Sequence, residues 1–294
     1  MKGSVITIGT FDGVHLGHKA ILDKVVKTAK AYNLQSIVIT MEKPVKKVDG
    51  LLTLPNEKIE IISSFGIDKI VVFPVNKTVL NTTAADFFKN IIVKQLKAKY
   101  LVVGYNCAFG KDREGDIAWL KEAVKKYGIK LKVVSQVKNG GYIVSSSKIR
   151  DLINKNKISL ANKTSGRIFE INGVHVSGNK IGRTIGFPTI NVKVCKEKIL
   201  PKGIFTCSVF DAYGKCYPAV LNIGTRPTFR KLSHSLSVEV HILNFSGKWK
   251  TKNIKILVHE FIRNEKKFAN IESLQRAIRK DIAFASDKKV CKLT

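Results

Sequence analysis

The 294-residue chain has no run of about 18 apolar residues, so no membrane-spanning helix is expected. No targeting signal is expected at its start. Met1-Lys2-Gly3 leads straight into the strand-like Ser4-Val5-Ile6-Thr7-Ile8, too short for a signal peptide and not followed by a small-residue cleavage site. A cytoplasmic protein is expected. Cysteines are few, at 107, 195, 207, 216 and 291, with no Cys-x-x-Cys pair. An odd number without metal-ligand spacing argues against a disulfide framework or zinc site, and for buried or idle thiols. Arginine is scarce, 9 against 43 lysines, although the net charge is +30. Base and phosphate readers favour arginine for its bidentate fork. The excess is also spread evenly, +14 over residues 1–160 and +16 over 161–294, with no basic tail. No specific nucleic-acid partner is expected, only a general attraction for polyanions, ATP included. No internal repeat is visible.

What is present is an ordinary globular composition, 44% hydrophobic and 25% charged, able to bury real cores. Residues 1–150 alternate strand-like and helix-like patterns. Strands are predicted at Val5–Ile8, Ser36–Thr40, Lys69–Phe73, Tyr100–Val103 and Lys130–Val134, and helices at Lys19–Tyr32, Pro55–Phe65, Ala84–Leu96 and Asp116–Tyr127. Such alternation implies a parallel sheet covered on both faces, with ligands beyond the carboxyl ends of its strands. The polar stretch Lys155 to Ser165 breaks the pattern and sets the expected domains at 1–158 and 164–294. Beyond it come short β-type runs, Ile168–Ile171, Gly203–Phe210, Tyr217–Ile223, Leu236–Leu243 and Ile254–Phe261, which read as an antiparallel barrel or sandwich. A closing helix, Ile271–Ala285, places Leu274, Ile278, Ile282 and Ala285 on one side, with Asn270 as a candidate N-cap.

Three clusters in the first half suit phosphate chemistry. Gly9-Thr10-Phe11-Asp12-Gly13-Val14-His15-Leu16-Gly17-His18 links the first strand to the first helix. Glycines let the backbone approach a phosphate, and the helix start offers free N–H groups. His15 and His18 can donate to phosphate oxygens as charge builds in a transition state. Gly9, Phe11, Asp12, Gly13 and Gly17 complete this candidate site. Ser145-Ser146-Ser147-Lys148-Ile149-Arg150 opens another helix, and Ser146, Ser147 and Arg150 could hold outer phosphates. Val103-Gly104-Tyr105-Asn106-Cys107-Ala108-Phe109-Gly110 ends a central strand, and Asn106 offers a polar contact.

In the second half, Gly178-Asn179-Lys180-Ile181-Gly182-Arg183 combines glycines and cations in the manner of a phosphate-covering loop. Thr189 and Asn191 follow in Pro188-Thr189-Ile190-Asn191. Two apart on an extended segment, they share a face, and two neutral oxygens with ATP phosphates and water suit Mg²⁺. Glu239 sits between Val238 and Val240, on the opposite face of a strand, where a carboxylate could serve as general base for a hydroxyl. His241 shares its face and reads as either structural or functional.

These motifs together resemble the bacterial bifunctional riboflavin kinase/FAD synthetase family over nearly the whole chain. The matching stretches are G-T-F-D-G-V-H-L-G-H, V-V-G-Y-N-C-A-F-G, V-S-S-S-K-I-R, G-R-I-F, G-R-T-I-G-F-P-T-I-N, N-I-G-T-R-P-T-F, V-E-V-H-I-L-N-F and F-I-R-N-E-K-K-F. The resemblance implies a Rossmann-like nucleotidyltransferase domain followed by a kinase barrel. It implies that Glu239 takes the proton of the riboflavin 5′-hydroxyl, with Mg-ATP as donor and Thr189 and Asn191 at the metal. It further implies that FMN is adenylylated to FAD at His15 and His18, with Ser146 and Arg150 holding the departing phosphates. Gly178, Lys180, Gly182 and Arg183 would meet ATP, and Asn106, Arg226, Arg263 and Glu265 would contact flavin or nucleotide. The family's T-F-x-P-H-P is Thr40-Met41-Glu42-Lys43-Pro44-Val45 here, without the histidine; its S-S-T is Ser145-Ser146-Ser147, and an aromatic after Asn106 is Cys107. All three departures fall in the first domain. Two alternatives stay open: a kinase whose nucleotidyltransferase domain is degenerate or takes another substrate, and a basic nucleic-acid-binding module.

Overall fold

A computed structural model describes residues 3–178, 181–225, 236–247 and 249–287. The chain forms two compact units, 1–148 and 149–294.

The first unit is built on strands β1 (Ser4–Gly9), β2 (Gln35–Met41), β3 (Lys69–Phe73), β4 (Ala98–Gly104) and β5 (Lys130–Val134), all parallel, in the order β3-β2-β1-β4-β5. Helix α1 (Leu16–Ala31) follows β1, and α2 (Pro55–Ser63) precedes β3. Side-chain alternation assigns the two faces. Val5, Val38, Tyr100 and Val102 point toward α1 and α2, packing with Leu22, Val25 and Ile62. Ile6, Ile37, Ile39, Leu101 and Val103 face the other way, onto Phe88, Ile92, Leu120 and Val124. A side chain buried this fully stabilises by roughly 1.5–3 kcal/mol, so both layers hold the sheet. The predicted helix Ala84–Leu96 takes a different form. After the short α3 (Lys77–Leu80), α4 (Ala84–Phe87) gives way to a π-helical stretch, Phe88–Gln95, which leads into β4. Helix α5 (Ile117–Lys126), the small hairpin β6 (Lys138–Asn139) and β7 (Tyr142–Ile143), and the start of α6 (Ser146–Asn154) complete this half.

In the second unit, Ile158–Ser165 forms a helix, α7. Its Asn162 amide donates to the Val258 carbonyl at 2.9 Å and its Oδ1 accepts from Phe169 N–H at 2.8 Å, which explains why so polar a segment is ordered. Strands β8 (Phe169–Val176), β9 (Ile190–Val194), β10 (Gly203–Phe210), β11 (Cys216–Thr225), β12 (Leu236–Ile242) and β13 (Asn253–Arg263) close into an antiparallel barrel, in the order β10-β11-β12-β9-β8-β13. Between β8 and β9 lies a short helix, α8 (Ile181–Thr184). The closing helix, α9 (Ile271–Ser286), is N-capped by Asn270, whose Oδ1 accepts from Ser273 N–H at 2.9 Å. Ile282 and Ala285 of α9 pack on Ile204, Val220 and Leu243 of the barrel. Among the described residues, no helix is long and apolar enough to cross a membrane. Cys107, Cys195 and Cys207 are free thiols, but Cys216 is disulfide-bonded, which corrects the expectation of idle thiols at that position.

Candidate active sites

β1 is the central strand, and residues 10–15 form the turn from its carboxyl end into α1. The turn is strained. Phe11 and Val14 hold φ of 51° and 34°, Gly13 holds 84°, and a Cβ on Gly13 would meet Leu52 at 2.8 Å. Asp12 anchors it. Its carboxylate accepts from Thr53 N–H at 3.0 Å and from Leu52 N–H at 3.4 Å, while Gly13 N–H donates to Thr53 Oγ1. Asp12 therefore anchors the turn, and Phe11, 1% exposed, is buried within it.

His15 is the N-cap of α1, its Nδ1 accepting from His18 N–H at 3.4 Å, which leaves the proton on Nε2, free to donate. The two imidazoles stack at 3.7 Å between centroids, with Phe11 5.0 Å from the His18 ring. Gly17 leaves room for this, since a Cβ there would sit 3.2 Å from the His15 ring. Burial pushes His15 down to about 4 and His18 well below the usual histidine range. Both are neutral at pH 7 and act as hydrogen-bonding groups, not cations. The buried Nδ1 of His18 has no partner among the described residues. At the start of α6, Ser146 Oγ donates to the Asp12 carbonyl at 2.8 Å and Ser145 caps the Lys148 N–H, so the serine cluster touches the same turn. Ser147 and Arg150 lie further along α6. Asn106 lines a separate cavity of about 340 Å³ with Tyr105, Cys107, Arg113 and Asp116. One residue with no signal in the sequence beyond its helix position is Lys58, which is buried and donates to the Thr10 carbonyl of the turn at 3.1 Å.

In the barrel, register assembles the site. Asn222 of β11, Glu239 of β12 and Asn191 of β9 are direct cross-strand partners, forming one polar row. Directly opposed antiparallel residues share a face with Cβ atoms about 5 Å apart. Asn222, with a buried and unpartnered Oδ1 among the described residues, joins the candidates; only its strand pairing reveals it. Two cavities flank the row. One, about 350 Å³, is lined by Glu239, Asn222, Phe187, Ile204, Leu274 and Ile278. The other, about 310 Å³, is lined by Asn191, Gly178, Arg183, Phe245 and Trp249. Thr189 lines both. Gly178 is required beside Asn191, since a Cβ there would fall 2.0 Å from its Nδ2, and one on Gly182 would fall 2.4 Å from the Phe187 carbonyl. His241 Nδ1 lies 2.8 Å from the Pro188 carbonyl, which fixes the segment leading to Thr189. Tyr217, Phe245 and Trp249 form an aromatic cluster at 5.6–5.7 Å, also unread in the sequence.

Arg263 and Glu265 reach the Glu239 cavity, but each is engaged. Arg263 makes a two-pronged ion pair with the buried Asp281 of α9, at 2.9 and 2.7 Å. Glu265 accepts from Thr225 N–H at 3.3 Å and lies where a Gly224 Cβ would be. Lys180 and Arg226 lie outside the described residues. The described residues hold no group of three His, Cys, Asp or Glu suited to a metal. The neutral oxygens of Thr189 and Asn191, on one cavity, instead fit a hard cation that arrives with phosphate.

A glycine- and histidine-bearing turn on a parallel sheet, and a barrel carboxylate in one of two cavities that share Thr189, point to the class: a two-part transferase of phosphate groups. The comparisons with known proteins then narrow it. The FAD synthetase model matches residues 1–148 and the riboflavin kinase model residues 165–288. The bifunctional riboflavin kinase/FMN adenylyltransferase of Escherichia coli K12 is 34% identical over 286 residues, covering 95% of this chain and 91% of that protein. The protein of the same name from Buchnera aphidicola subsp. Schizaphis graminum is 34% identical over 288 residues, covering 96% and 92%. The chain belongs to the family of bifunctional riboflavin kinase/FMN adenylyltransferases. A crystal structure described as a macrolide-efflux protein from Streptococcus pneumoniae shares the fold, with a TM-score of 0.87 at 24% identity over 98% of this chain and 95% of that one.

Proposed function

We propose that the barrel phosphorylates riboflavin to FMN with Glu239 as general base, and that the parallel-sheet unit adenylylates FMN to FAD at His15 and His18. The domains carrying the two reactions are 164–294 and 1–158. The observation that carries the kinase assignment is Thr189, a wall common to the Glu239 cavity and the Asn191 cavity. A flavin hydroxyl beside Glu239 and a γ-phosphate beside Asn191 would meet there. Glu239 takes the proton of the 5′-hydroxyl, the oxygen attacks the γ-phosphorus, and the bond to ADP breaks. The work of such a transfer is positioning and charge neutralisation. Thr189 and Asn191 would hold Mg²⁺, which supplies that neutralisation when bound with ATP. Asn222 Oδ1 accepts from a neighbouring ribityl hydroxyl, and Gly178, Gly182 and Arg183, with Lys180, cover the phosphates. Arg226, Arg263 and Glu265 would contact flavin or nucleotide, with Arg263 held by its pair with Asp281.

In the first unit, a phosphate oxygen of FMN attacks the α-phosphorus of ATP and pyrophosphate leaves. His15 Nε2–H and the His18 imidazole donate to the oxygens that gain charge. Ser146 and Ser147, with Arg150 a turn further along α6, take the departing pyrophosphate, and Asn106 contacts FMN or nucleotide. ATP as co-substrate of both steps supports work in the cytoplasm. The test is direct. The protein is incubated with riboflavin, ATP and Mg²⁺ and the flavins are separated. FMN followed by FAD is expected. Absence of FMN overturns the kinase assignment, and absence of FAD when FMN is supplied overturns the adenylyltransferase assignment.

A further inference from the structure

Lys58 is 2% exposed, and no step above uses it. It lies in the first turn of α2, where its backbone N–H donates to Leu54 O. Its ammonium donates to three carbonyl oxygens: Thr10 at 3.1 Å, Glu42 at 3.3 Å, and Met41. Thr10 opens the histidine-bearing turn; Met41 ends β2 and Glu42 follows it. Thr40 Oγ1 donates to the same Thr10 carbonyl at 3.0 Å. Asp12 and Glu42 attract the ammonium and His18 feels its charge, so it sits among the turn's own groups.

Two features make this more than a buried amine. First, the turn holds two non-glycine residues at positive φ, a conformation that persists only where its surroundings over-determine it. Asp12 holds one flank through Leu52 and Thr53; Lys58 holds the other. Second, Met41 and Glu42 belong to the stretch that departs from the family's T-F-x-P-H-P. There the backbone is fixed from outside, by a charged donor, independent of the side chains that changed.

We propose that Lys58 is a positioning residue for adenylyl transfer, tying the turn of His15 and His18 to the end of β2 so that both imidazoles meet the α-phosphate in register. This rests on the adenylyltransferase reading of the first unit, and the barrel supplies an internal control. FMN-to-FAD and riboflavin-to-FMN rates are measured on the same preparation of the full chain. Wild-type protein that makes no FAD refutes the underlying reading before Lys58 is tested. If it does make FAD, Lys58→Met is expected to lower kcat for FAD synthesis about 100-fold, the order of loss that a misplacement of about 1 Å produces. KM for ATP should change by less than about threefold, because ground-state binding is spared. Riboflavin phosphorylation should stay within about twofold, since the barrel lacks this contact. Lys58→Arg, which keeps charge and donors, should recover to within about tenfold of wild type. Should Lys58→Met fail to unfold cooperatively, Lys58→Gln takes its place, and a ranking of Arg above Gln supports the proposal. The proposal is overturned if Lys58→Met or Lys58→Gln keeps more than about a third of wild-type kcat, or if Lys58→Arg is no better than the neutral variant.

Discussion

In the parallel-sheet unit the two proposed catalytic imidazoles are three residues apart in the chain; in the barrel the proposed base and its partners are neighbours only across strands. The first unit makes its site from one short turn, then fixes that turn with distant residues: Thr53, Lys58 and Ser146. The second makes its site from Asn191, Glu239 and Asn222 on three strands, fixed by the ladder that closes the barrel. A strained turn needs tethers and so depends on buried charge; a strand row needs only register. The two halves of one enzyme should therefore fail in different ways.

Separate failure is the sharpest test of the comparison. Glu239→Gln should cut riboflavin phosphorylation by about 1,000-fold through loss of the proton acceptor, while FMN supplied directly is still converted to FAD at the wild-type rate. Flavin separation after timed incubation reads both, and a parallel loss would break the division of labour. His18→Ala should do the reverse, lowering FAD synthesis by about 100-fold as a donor to the developing charge is removed, with FMN formation unchanged.

Stability should also divide. Asp281→Asn leaves the Arg263 guanidinium beside a neutral partner in a buried setting. The expected cost is about 2 kcal/mol, below the full cost for a buried pair because Arg263 is partly exposed. Thermal unfolding should show the loss, with the FMN-to-FAD reaction intact below the transition. The smallest effect is on pH. Burial lowers Lys58 from 10.5 to about 8, against the pull of Asp12 and Glu42. A lowered amine is charged below that value and loses its proton above it. FAD synthesis should thus fall about threefold between pH 7 and 9 as one donor to the three carbonyls is lost. FMN synthesis should lack that limb, and Lys58→Arg should remove it. His15 and His18, already neutral, contribute no limb near pH 7.

The same contrast explains what could be read from the chain alone. The five parallel strands, the barrel runs and the Asn270 cap announce themselves through local periodicity and local residue types. The turn of His15 and His18 does too, because its chemistry is contiguous. Lys58 does not, since a lysine in an amphipathic helix ordinarily faces water and only the fold brings three carbonyls to it. Asn222 carries no signal of a role within N-I-G-T-R-P-T-F, because strand pairing, not spacing, puts it beside Glu239. Helix α7 is masked by its polarity: Asn162 bonds to the backbone of β13 and β8 where an apolar residue would be looked for. The π-helical stretch Phe88–Gln95 passed for ordinary helix because Phe88 and Ile92, the buried pair, are four apart in either form.

The closed barrel has a consequence for how this sequence can change over time. A strand whose side chains alternate exchanges its two faces when shifted by one residue. Deleting or inserting a single residue in Leu236–Val238 would turn Glu239 away from Asn191 and Asn222 and bring a valine into the row. Substitutions at exposed positions away from that row leave it alone. The barrel's chemistry therefore restricts length more strictly than identity, and its lineage should record point changes freely while leaving the residue count of β12 untouched.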